Sequence, residues 1–124
     1  MAKARKSITY RKFYDMVMTK VKNDPDWDDS MLEYISFRYG RHEGESIGTH
    51  NFDVTGEVLY GSNEGIVCRI NMYIATGYYK HDSITLAVLK TLGASREDFM
   101  KMGRLAAVFS YNAMQVAEEH INEF

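Results

Sequence analysis

Apolar positions along the chain fall into runs with distinct periods. Between residues 8 and 22, Tyr10, Phe13, Tyr14, Val17 and Val21 recur at spacings of three and four, as on a helix with one buried face. Ser7 or Thr9 is placed to cap its start. Asn23-Asp24-Pro25 closes it, because proline restricts the residue before it and has no N–H to continue a helix. Segment 30–39 satisfies two periods. Ser30-Met31-Leu32-Glu33 has the form of a capping box, Met31, Ile35 and Tyr39 then share a helical stripe, and Gly40 is a good stop. Ile35, Phe37 and Tyr39 also alternate like a strand of aromatic and β-branched residues. The capping box tips this reading to helix.

Residues 52–60 and 66–75 carry the clearest tertiary signal. Phe52, Val54, Val58 and Tyr60 alternate with polar residues, as do Ile66, Cys68, Ile70, Met72 and Ile74. The turn-rich stretch Gly61-Ser62-Asn63-Glu64-Gly65 lies between them, so the pair reads as a β-hairpin. Setting Tyr60 opposite Ile66 puts Glu57 opposite Arg69 and Val54 opposite Met72, and both apolar rows then share one face. Gly56 falls opposite Ile70, where a missing side chain leaves room for a bulge or a closely packed helix.

The last third reads as helical. Ile84, Leu86, Val88, Leu89 and Leu92 spread round most of a helix over 83–92, which implies burial, and Gly93 ends it. Ser95 with Asp98 makes a weak capping box for a second helix running towards residue 122, about 40 Å at 1.5 Å per residue. Along it Phe99, Met102, Ala106, Phe109, Ala113, Val116 and His120 form a heptad-like stripe, widened by Leu105 and Val108, which either lies on the hairpin's apolar face or forms part of a subunit or partner interface. Gly103, Ala106 and Ala107 offer a place for another backbone to approach.

These elements predict an α+β fold in a single domain, 1–124, with a basic flexible N-terminus over 1–6. A small antiparallel sheet built on the hairpin 52–60/66–75 packs with an N-terminal helix and a C-terminal helix pair ending in a long helix. Two strands alone are marginally stable. A third is therefore expected within 30–50, or from a second subunit.

Composition narrows the function. The chain has 124 residues, 45% of them hydrophobic, and a net charge of -2. That is an ordinary globular balance with no global basic field for nucleic acid. The charge is uneven. Lys3, Arg5, Lys6, Arg11, Lys12, Lys20 and Lys22 face only Asp15 within 1–22, whereas 23–60 is strongly acidic. No signal-peptide-length or membrane-spanning apolar run is present, and Cys68 is the only cysteine. A cytoplasmic protein is the simplest expectation.

Tests for chemistry return little. Val88 to Phe99 resembles the core of a helix-turn-helix. Leu89, however, stands where a small residue belongs, and Glu97 and Asp98 would repel phosphates. The acidic run Asp24-Pro25-Asp26-Trp27-Asp28-Asp29 fails as a calcium loop, since Asp29 replaces the turn glycine and Ile35 the bidentate glutamate. It reads as local capping, with Trp27 anchoring the loop to the core. His42, Glu45, His50 and Asp53 are only loosely metal-like, and neither a metal nor a cofactor is assigned. Cys68 lies on the core face of a strand, where a thiol is inert. His81 and His120 have no obvious partner, and no activated serine or carboxylate pair stands out, so the chain is read as a non-enzyme.

The leading expectation is a small protein-binding, scaffolding or inhibitory protein, forming a homodimer or binding a foreign protein. One concrete version is encoded by a phage or mobile element and directed at a host defence protein. Its candidate interface is Phe99, Met102, Phe109 and Val116 with Tyr78 and Tyr79. Tyr, Phe and Met, at nine, six and eight residues, are types enriched at interfaces. A nucleic-acid-associated regulator using the basic N-terminus is the first alternative. A small-molecule or nucleotide module using loop 40–51 is the second. Candidate anion contacts for these are Lys3, Arg5, Lys6, Arg11, Lys12, Arg38, Arg41, His42 and His50.

Overall fold

The computed structural model describes residues 8–37, 51–59, 65–75 and 81–120. Helix α1 spans Tyr10–Lys22, with Thr9 accepting from the Lys12 backbone N–H as N-cap and Asn23 as C-cap. A single 3-10 turn over Asp29–Met31 leads into strand β1, Leu32–Phe37. Strands β2 (Asn51–Leu59), β3 (Val67–Ala75) and β4 (His81–Thr91) follow, and then helix α2, Arg96–Glu119. The four described strands form one antiparallel sheet in the order β1-β4-β3-β2. Among the described residues, no helix is long and apolar enough to cross a membrane.

The hairpin has the register its pattern requires. Glu57 pairs with Arg69, Val54 with Met72 and Gly56 with Ile70. Ile35, Leu89, Cys68 and Val58 line up across all four strands on one face, and both helices cover that face. Phe13, Val17 and Val21 of α1 and Met102, Leu105, Phe109, Ala113 and Val116 of α2 complete the core, each 2% exposed or less. Gly56 serves a close helix: a Cβ placed there would lie 3.0 Å from the Ala106 Cβ, so α2 crosses β2 with no side chain between. The opposite face carries exposed Thr55, Glu57, Arg69 and Tyr73.

Two expected helices are strands. Residues 83–91 of the expected helix lie in β4 and Leu92 in the turn after it, so the C-terminal helix pair is one strand and one helix, and the helix-turn-helix resemblance fails with it. The cause is a bulge. Ile70 pairs with Ala87 but Asn71 pairs with Thr85, which leaves Leu86 as an extra residue. Ile84, Leu86, Ala87 and Leu89 are all buried as a result, and a strand whose alternation changes phase midway imitates a helix apolar on most sides. The second case is segment 30–39, of which Leu32–Phe37 is strand β1 and residues 38 and 39 lie outside the described residues. Its capping box does not form: Asp28 caps the 3-10 turn, and Glu33 instead pairs with Lys90 of β4 at 3.0 Å. The third strand expected within 30–50 is therefore β1, and it joins β4.

The loop between α1 and β1 ties the two layers together. Asp24 accepts from Asn112 Nδ2 of α2 at 2.9 Å and from the Asp26 backbone N–H at 2.9 Å. Trp27 packs against Phe109, with ring centroids 6.3 Å apart. Lys20 reaches Glu119, joining the ends of the helices. The acidic run is thus a capped and anchored loop.

Candidate functional site

Helix α2 starts at a strong N-cap. Ser95 and Asp98 complete a reciprocal capping box, with Asp98 Oδ2 accepting from the Ser95 N–H at 3.0 Å and Ser95 Oγ accepting from the Asp98 N–H at 3.1 Å. The Ser95 hydroxyl also donates to Asp98 Oδ2 at 2.7 Å, and this bond first, with the one from the Ser95 N–H, holds the Asp98 carboxyl below its ordinary range. Asp24 is lowered by Asn112 first, and Asp28 by Ser30 first. Each of the three carboxylates is engaged in local hydrogen bonds that cap or fasten a turn.

The buried side of α2 accounts for the heptad-like stripe. Met102 and Phe109 are 0% exposed and Val116 2%. These three expected interface residues are core residues, because the stripe finds its partner in the chain's own sheet. Phe99, at the open end of the stripe, is 41% exposed. Tyr78 and Tyr79 lie outside the described residues. So do Lys3, Arg5, Lys6, Arg38, Arg41, His42 and His50. Of the candidate anion contacts, Arg11 and Lys12 are described, both exposed at the start of α1.

A second stripe on α2 faces away from the sheet. Met100 is 62% and Tyr111 61% exposed, and between them Gly103 and Ala107 are exposed as well. Nothing lies within 4 Å of where a Gly103 side chain would begin. Of the three small residues singled out in the sequence, Ala106 meets Gly56 inside the fold, while Gly103 and Ala107 look outward. Leu92, in the turn that leads into α2, is 65% exposed. Leu92 was expected to be buried in a helix over 83–92, and its exposure corrects that reading. Met100 and Tyr111 do not stand out in the pattern, because the inner stripe has more and larger apolar residues. Their signal is a second set at spacings of three and four, offset round the same helix.

A groove of about 440 Å³ opens between α1 and β1, with Tyr14, Met18, Trp27 and Ile35 on its walls and Asp15 and Lys22 among its charged groups. The Thr19 hydroxyl in its lining donates to the Asp15 backbone carbonyl oxygen at 2.9 Å. Cys68 is buried under the helices, and loss of solvation pushes its thiol up to about 11, which keeps it protonated and unreactive. Among the described residues no group of three His, Cys, Asp or Glu side chains is placed to hold a metal ion. Comparison with known proteins returns no match, whether to a family model, a curated protein or a solved structure.

Proposed function

We propose that the protein acts by binding another protein, without catalysing a reaction, through the outward stripe of α2. The supporting observation is the exposure of Met100 and Tyr111 on either side of Gly103 and Ala107. Large apolar side chains flanking small ones give a surface with two ridges and a shallow gap, which a helix or an edge of another protein can fill. Clustered apolar exposure on a small domain is a feature of interaction surfaces. Leu92 extends the same apolar character to the turn before the helix. The mechanism is occlusion or scaffolding: the contact itself is the activity.

A photo-crosslinking residue placed at Met100, at Tyr111 and, as a control, at Thr55 on the far face of the sheet tests this in cells. The expected result is a protein adduct from positions 100 and 111 and none from 55. Absence of any protein adduct from 100 and 111 would overturn the reading.

A further inference from the structure

We propose that α2 pairs antiparallel with α2 of a second copy of this chain, about a two-fold axis passing at Ala107. This rests on the protein-binding reading and names its partner. The outward stripe is longer than its apolar centre. Arg96, Met100, Gly103, Ala107, Tyr111, Met114 and Glu118 recur at spacings of four and three, and at 100° per residue they fall within about 40° of one line along the helix. The spacings read the same in both directions from Ala107. A two-fold axis there places each position opposite its mirror position in the other copy, as isologous pairing requires.

The chemistry at mirror positions is complementary. Gly103 mirrors Tyr111, so the exposed ring of each copy meets the open space at Gly103 of the other. Met100 mirrors Met114, which is half-buried at the border of the core. Arg96 mirrors Glu118. Both are exposed, and neither has an ion-pair partner among the described residues. Charge therefore selects the antiparallel arrangement: a parallel pair would set Arg96 against Arg96 and Glu118 against Glu118. The average repeat along the stripe, close to 3.67 residues per turn, lets the two helices run nearly straight past each other.

The test uses the full chain in analytical ultracentrifugation over a range of concentrations. The wild type is expected to dimerise. Arg96→Glu and Glu118→Arg should each weaken the dimer by about tenfold, since each creates a like-charge contact at both ends of the pair. An equimolar mixture of these two variants should form a heterodimer of near wild-type affinity, because every end contact is then opposite in sign. Gly103→Leu, which meets open space in the monomer, should weaken the dimer while leaving the circular dichroism melt, taken at a concentration where the chain is monomeric, unchanged or raised. A wild type that stays monomeric at its solubility limit overturns the proposal. So does a dimer indifferent to Gly103→Leu, or one not restored in the mixture. A crosslink from Met100 to a foreign protein, with a monomeric wild type, would remove the second copy and leave the protein-binding reading standing.

Discussion

Gly65 and Thr91 show how much of the fold rests on single atoms. Gly65 has φ +144°, a conformation side chains rarely adopt, and a Cβ there would lie 2.4 Å from the Thr91 carbonyl oxygen. Thr91 is fully buried, and its Oγ1 accepts from the Ile66 backbone N–H at 2.9 Å. Gly65→Ala combines strained backbone with a clash against main chain that cannot swing aside. It should destabilise the protein by at least ~2 kcal/mol, read from urea denaturation. Cys68 supplies a second prediction. Its folded-state pKa is raised from 9.0 to about 11, so its contribution to stability is complete below pH 9 and lost as pH climbs through 11. Alkylation at pH 8 should be slow in buffer and fast in denaturant. Equal rates would show that the strand does not bury the thiol.

At the scale of elements, β4 and β1, both expected as helices, deviate most from what their sequences suggest. The bulge at Leu86 lets β4 bury residues on both sides of a phase change, and pairing with β1 and β3 supplies the backbone partners that make a strand the better solution. Helix α2 keeps a glycine in its middle at a cost, because Gly103 has no packing role inside the fold. Gly103→Ala should therefore raise stability by about 0.5–1 kcal/mol. The measurement is made at a concentration where the chain is monomeric, and a lower melting temperature there would mean that the backbone at 103 is not regular helix.

At the scale of the molecule, two helices lie on one face of the sheet and the α1–β1 loop is fastened to α2. Asn112 is 3% exposed, and its Nδ2 donates to both Asp24 and the Val108 carbonyl oxygen. The bond to Asn112 is the first cause of the lowered Asp24 carboxyl. Asn112→Ala should raise that pKa towards 3.8, followed by NMR titration of the carboxyl carbon. Stabilisation through Asp24 is present above the unfolded value and lost as pH falls through the lower folded one, so the variant should lose part of the acid sensitivity of the wild type. An unchanged Asp24 titration would mean that the loop is not fastened there.

The sequence by itself determined the parts that short-range patterns govern. These are α1 with a cap at Ser7 or Thr9 and its Asn23 stop, the hairpin and its register down to Glu57 opposite Arg69, the capping box at Ser95 and Asp98, and the room at Gly56 for a bulge or a close helix, which the structure resolves to Thr9 and to α2. Each rests on neighbouring residues, a two-residue alternation or a missing side chain, and such signals survive without knowledge of the rest of the chain. Only the tertiary structure decided β1 and β4. In both, local cues favoured helix, and long-range strand pairing outweighed them because it satisfies backbone groups and buries an out-of-phase apolar set together. It also decided which stripe of α2 is the core. A helix with apolar residues on two faces needs the sheet in place before one of them becomes the inside and the other is left to face outward.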